Sequence, residues 1–159
     1  NTATTGRWQR GDPQQTRSGT TTLQLGTCNG GSVNCFITGL TGDVAASDID
    51  GGMTSIQSPA IALPATGTVT LTFTYYLAHL NNATSADFFR VRVVRANGTV
   101  QTVFTRSGSA SNVGAVWTTQ SVNLGAFAGQ SVRLRIEATD ASSASLVEGG
   151  VDDVVIRRQ

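Results

Sequence analysis

A chain of 159 residues with a net charge of +1 is the size of one domain, long enough to bury about 70% of its unfolded surface, and its charge alone seeks no polyanion. All eleven basic residues are arginine and there is a single histidine, which excludes phosphate-loop lysines, Schiff-base chemistry and any site that needs two imidazoles. No run is long and apolar enough to span a bilayer.

The chain opens at Asn1 without Met, as expected of a processed or excised piece, and residues 1–5 read as a linker before a domain over 6–159. A first strand is expected over 20–26. Cys28 and Cys35 then bracket Asn29-Gly30-Gly31-Ser32-Val33-Asn34, a loop composition. A disulfide there would stabilise by roughly 2–3 kcal/mol through the unfolded chain. The alternatives are two free thiols or a metal pair, but zinc would lack ligands with no further Cys and one His. The disulfide implies an oxidising compartment, so the protein is expected to be secreted.

Period-two alternation dominates the chain beyond this loop. Val69, Leu71, Phe73, Tyr75 and Leu77 share one face of a strand over 68–77, with threonines opposite. Phe89, Val91 and Val93 alternate with Arg90 and Arg92, and Val132, Leu134 and Ile136 alternate with Arg133, Arg135 and Glu137. The other strands are expected over 53–63, 99–106, 116–124 and 151–157. Ala65-Thr66-Gly67, Asn97-Gly98, Phe127-Ala128-Gly129-Gln130 and Gly149-Gly150 read as turns. No segment sustains helical periodicity, so the fold expected is all-β: an antiparallel two-sheet sandwich, a jelly roll.

In a jelly roll the second, seventh, fourth and fifth strands form one sheet, and the first, eighth, third and sixth form the other. The loops then carry Asp43, Asp48, Asp50, Asp87, Asp140, Glu148, Asp152 and Asp153 to one pole. Clustered carboxylates repel unless a cation compensates. Gly-flanked Asp48-Ile49-Asp50-Gly51 has a fragment of calcium-loop spacing, without the twelve-residue loop of an EF-hand. The expected cofactor is a structural Ca2+ held by Asp48, Asp50, Asp87, Glu148, Asp152 and Asp153. Asp152 shares parity with Val154 and Ile156, which points it inward if the strand is regular. The competing reading is ordinary turn carboxylates bonded to backbone N–H groups.

The same topology lays Arg90, Arg92, Arg133 and Arg135 on one outward face with Phe88. Such a face could stack on sugars or clamp carboxylates, or be a solvated face that keeps the sheet soluble. His79 is expected to be a hydrogen-bonded structural residue, with Asp87 or Asp152 as possible partners. No Gly-x-Ser-x-Gly elbow accompanies it. A carboxylate pair for glycoside hydrolysis is conceivable at the pole, but the small residues around it do not suggest a cleft. Asn82-Ala83-Thr84 and Asn97-Gly98-Thr99 match glycosylation sequons by pattern.

Gly6-Arg7-Trp8-Gln9-Arg10-Gly11-Asp12-Pro13, the run from Asp48 to Pro59, Phe127-Ala128-Gly129-Gln130 and Gly149-Gly150-Val151-Asp152-Asp153-Val154 together resemble a known pattern. It is similar to the non-catalytic jelly-roll domain C-terminal to secreted bacterial metallopeptidases, notably zinc carboxypeptidases, and to MAM-type and galactose-binding-like sandwiches. The resemblance implies an accessory module without chemistry of its own, beside a catalytic domain in a secreted precursor. The Cys28/Cys35 loop is not part of that pattern. The function expected is therefore a non-catalytic, monomeric accessory domain of a secreted hydrolase, a peptidase in the first reading. The alternative is a carbohydrate-binding module. The partners expected are the neighbouring catalytic domain and a protein or glycan substrate, with no nucleic acid and no membrane.

Overall fold

Apolar residues alternating with Thr or Arg dictate where the long strands lie. The computed structural model, which describes residues 1–44, 46–141 and 145–159, pairs them into two antiparallel sheets. The strands are β1 Trp8–Gly11, β2 Thr16–Ser18, β3 Thr21–Gln24, β4 Cys35–Thr38, β5 Gly52–Gln57, β6 Ile61–Ala62, β7 Val69–His79, β8 Phe88–Arg95, β9 Val100–Ser107, β10 Thr118–Asn123, β11 Ser131–Asp140 and β12 Val147–Arg158. One sheet has the order β1-β4-β12-β7-β10 and the other β5-β11-β8-β9, with β6 also on β11. The chain is thus the expected all-β sandwich. Its second sheet has the expected second–seventh–fourth–fifth order, and β12-β7-β10 is the expected eighth–third–sixth run.

The first strand is corrected. The place beside β12 belongs to β4, not to residues 20–26, and β1 extends that edge. Residues 21–24 instead form a hairpin with β2 that lies outside both sheets. The physical reason is a second core. Leu23, Cys28, Cys35, Ile37, Tyr76, Ala78 and Ala115 bury one another on the outer face of the first sheet, beneath the hairpin and the disulfide loop. Alternation in β7 ends where this cover begins: from Phe73 to His79 every residue is buried. The main core lies between the sheets, where Phe73, Tyr75, Phe89 and Phe104 interlock, with Tyr75 and Phe89 stacked at 4.9 Å.

Gly149-Gly150 is not a turn but the interior of β12, paired with Leu77 and Tyr76. A Cβ on Gly150 would sit 2.2 Å from the Tyr76 ring and 2.9 Å from Trp117. These two rings meet edge to face at 4.9 Å, against the bare backbone of β12. Further along the strand, a bulge between Asp152 and Val155 places Asp153 at φ 49°. The bulge resets parity, so Val151 and Ile156 both reach the main core while Asp152 faces away from it, contrary to the regular-strand expectation. The expected 53–63 strand is split at Ser58-Pro59-Ala60, because Pro59 has no N–H to donate. Residues 1–5, read as a linker, are docked along β5. Thr2 and Ala3 both donate backbone N–H groups to Met53 O, and Ala3 is buried.

Gly150→Ala is expected to cost about 1–3 kcal/mol through overpacking, read from chemical denaturation and accompanied by a change in Trp117 fluorescence. Gly114→Ala, whose Cβ would meet only Thr22 O at 3.5 Å, should leave stability within about 0.5 kcal/mol. Equal effects of the two would refute the packing role of Gly150.

Candidate functional site: an arginine face and an acidic pole

Cross-strand register builds the outward face of the β5-β11-β8-β9 sheet. Gln57, Arg135, Arg92 and Thr102 stand side by side across its four strands, and Ser55, Glu137, Arg90 and Thr105 form the neighbouring row. Phe88 lies one row further, with the Arg90 guanidinium 3.7 Å above its ring. All five candidate residues of this face, Phe88, Arg90, Arg92, Arg133 and Arg135, are therefore on one surface. Arg92 Nε lies 3.3 Å from Glu137 Oε2, the one ion pair among the described residues. Arg135 Nε donates to Gln57 Oε1 at 3.1 Å, and Arg133 Nη1 to Ser58 O at 3.1 Å. Burial, then the Arg92 charge, pulls the Arg90 guanidinium below its ordinary value.

Below these rows lies a depression of about 410 Å³, lined among others by Gln57, Val94, Arg95, Ser131, Arg133 and Arg135. Gln57 and Arg95 are not singled out by the sequence pattern. Gln57 becomes visible only through its register with Arg135. Arg95 has core-facing parity in β8 but stacks at the sheet end on Phe127, 4.6 Å away, with Gln130 and Gln101 accepting from it. A second, apolar depression of about 390 Å³ opens at the β12 bulge, with Phe36, Ile56, Pro59, Leu134, Ile136 and Val154 among its lining residues.

The metal candidates divide between two places. Asp152 and Asp153 are not at the pole, since Asp152 lies four residues, about 13 Å, along β12 from Glu148. They hold the disulfide loop instead. Asn29 N and Ser32 Oγ donate to Asp152 Oδ2 at 3.1 and 2.9 Å, and Asn29 Nδ2 donates to Asp153 Oδ2 at 2.7 Å. Cys28 and Cys35 are joined, with Cα atoms 5.5 Å apart, as their loop composition leads one to expect. Among the described residues, Cys28, Cys35 and Asp152 are the one trio of possible ligand groups within 4.8 Å of one another, and the disulfide consumes both sulfurs. His79 is buried, with Nδ1 3.0 Å from Leu80 O and its backbone bridged to Val113, a structural role.

No protein-family model and no curated protein matches the chain. Among solved structures it is similar to a family 16 carbohydrate-binding module, with 16% identity, a TM-score of 0.48 and coverage of 81% of this chain and 79% of that one. It is also similar to the CBM22-1 xylan-binding domain from Paenibacillus barcinonensis Xyn10C (14%, 0.43, 96% and 85%). A third is the N-terminal cellulose-binding domain of Cellulomonas fimi β-1,4-glucanase C (13%, 0.43, 100% and 95%). The likeness is one of overall sandwich architecture.

The remaining acids do gather as the loop topology requires, with Asp48 as the hub. Burial first, then the charges of Asp50, Asp140 and Asp43, raises its carboxyl to about 7. Burial also pushes Glu148 well above the usual carboxylate range, opposed by a 2.9 Å hydrogen bond from Thr38 Oγ1 to Oε2 and reinforced by Asp48. Asp48 Oδ1 and Glu148 Oε1 are buried with no hydrogen-bond partner among the described residues. Asp87 and Asp140, by contrast, act as loop brackets. Asp87 accepts from Thr84 N and Ala141 N, and Asp140 from Ser145 N and Oγ. Burial raises Asp140, and Asp87 adds to that rise. A carboxyl raised on folding stabilises fully below its unfolded pKa, and that stability is lost as pH climbs through the folded value. In chelator, unfolding free energy should thus fall by a few kcal/mol between pH 4 and about 7. Asp48→Asn should flatten that slope in pH-dependent denaturation; stability that rises across this window would contradict the assignment.

Proposed function

We propose that the chain is a non-catalytic carbohydrate-binding domain of a secreted, multidomain glycan-degrading enzyme. The supporting observation is the row Gln57–Arg135–Arg92–Thr102, four hydrogen-bonding side chains in register across one sheet face, with a guanidinium-capped Phe88 nearby. Planar amide and guanidinium groups offer forked donors to vicinal hydroxyls and ring oxygens. The donors are face side chains rather than the backbone of a sheet edge. That suits a hydroxyl-rich chain better than an extended peptide, which would bind by strand addition. This favours a glycan-degrading parent over a peptidase, while the role beside a hydrolase is common to both readings. The disulfide supports an extracytoplasmic setting. The domain is expected to bind at least one structural polysaccharide or its oligosaccharides by calorimetry, without turnover. Arg135→Ala should weaken binding about tenfold, the ~1.4 kcal/mol of one charge-assisted bond, with little change in melting temperature. Binding to peptides but to no glycan would return the assignment to a peptidase accessory domain.

We also propose a structural Ca2+ at the acidic pole, with Asp48 and Glu148 as ligands and Asp50 beside them. The support is the two buried carboxylate oxygens without partners, which a hard cation would satisfy together with backbone carbonyls. At 100 times its Kd, an ion bound only by the folded chain would add ~2.7 kcal/mol. Chelator should therefore lower the melting temperature, and Ca2+ should restore it better than Mg2+. Asp48→Ala should abolish the response, whereas Asp152→Ala, which alters the disulfide loop instead, should retain it. Identical melting with and without chelator, after demonstrated metal removal, would refute the site.

A further inference from the structure

The arginine face has more positive charge than its own surroundings neutralise. Arg90, Arg92, Arg133 and Arg135 project from it, and Glu137 is the one carboxylate among them. Glu137 is only 1% exposed and is engaged by Arg92. Among the described residues no carboxylate lies within 4.0 Å of Arg90, Arg95, Arg133 or Arg135. The hydrogen bonds of Arg95, Arg133 and Arg135 go to neutral oxygens of Gln57, Ser58, Gln130 and Gln101, which use one or two of each guanidinium's five N–H donors, and the Nε of Arg90 is buried without a partner among the described residues. Register also sets Arg135 directly opposite Arg92, a like-charge pair that is destabilising unless an anion lies between. The whole chain is only +1, so this is a segregation of charge, with acids at the pole and cations on the sheet. A local field of this kind concentrates an anionic ligand even when the net charge does not.

Resting on the glycan-binding reading above, we infer that the ligand of this face is an acidic glycan. Its anionic group, a uronate carboxylate or a sulfate ester, is seated in the depression between Arg95, Arg133 and Arg135. The depression is large enough for a sugar residue, and three arginines line it, a residue type whose planar fork of N–H donors suits a carboxylate or sulfate oxyanion. Val94 and Ser131 on its lining offer an apolar contact and a hydroxyl to the rest of the ring.

The test is calorimetric titration of the disulfide-intact chain with four probes. These are an oligogalacturonate, its methyl ester, a sulfated oligosaccharide of equal length and a short DNA duplex. The acid, the sulfate ester or both should bind at least tenfold tighter than the methyl ester, and which of the two does so identifies the source of the anion. The preference should fall to within about threefold in Arg133→Gln and in Arg135→Gln, while Arg135→Lys, which keeps charge but loses the fork, retains part of it. Circular dichroism and melting temperature report that the variants fold. If Arg133→Gln fails to fold, Arg135→Lys alone still tests the fork. Equal affinity for acid and methyl ester would overturn the inference and leave the glycan reading standing. Equal affinity for the duplex and the acidic oligosaccharides would also overturn it, since the face would then be an unselective cationic patch. No binding to any oligosaccharide, neutral or acidic, would refute the glycan reading itself.

Discussion

The strand on which this architecture depends is β12, which sits at the centre of the first sheet with cover on both faces. A strand can be covered so closely only where its own side chains are small. Gly149 and Gly150 provide that, and at Gly150 the Tyr76 and Trp117 rings occupy the space a Cβ would take. The arrangement on the outer side of the sheet depends on this close approach. The β2–β3 hairpin and the disulfide loop can lie down over Leu23, Ile37 and Tyr76, and Glu148 is carried into a fully buried position where only Thr38 bonds its carboxyl among the described residues. The bulge at Asp153 then frees Asp152 to bind the same loop from below.

Charge is distributed by the same topology. Strands β8 and β11 are neighbours, so two arginine-alternating strands become one cationic surface. The turns that join the other ends of the strands return Asp43, Asp48, Asp50, Asp87, Asp140 and Glu148 to a single pole, around Asp48. The two regions play different physical roles. At the pole Asp48, Asp140 and Glu148 are buried, and burial together with neighbouring carboxylates raises all three. Guanidiniums on the sheet stay charged and partly exposed.

Much of this is legible from alternation alone. The parity of Phe89, Val91 and Val93 against Arg90 and Arg92 assigns β8 its two faces, and the spacing of Cys28 and Cys35 in a Gly/Asn/Ser loop indicates the disulfide. Gly149-Gly150 misleads because glycine pairs mark turns far more often than they mark the floor beneath aromatic rings. The short β4 is hidden because Phe36 faces the main core side while Cys35 and Ile37 serve the second core, so both sets of side chains are apolar. The hint available is the loss of alternation at Tyr75-Tyr76-Leu77-Ala78, the mark of a strand covered on both faces.

The sequence by itself determined the class of the fold, the order of most strands, the disulfide and which arginines share a face, because period-two patterning and local turn chemistry act between near neighbours. Tertiary structure alone decided that Asp152 and Asp153 serve the disulfide loop and not the pole. It also decided that Asp48 and Glu148 are left with unpartnered buried oxygens, and that Gln57 and Arg95 join Arg133 and Arg135 around one depression. These outcomes depend on a single bulge and on cross-strand register. A shift of one position in either reverses which side of the sheet a side chain meets, and no local pattern in the chain encodes it.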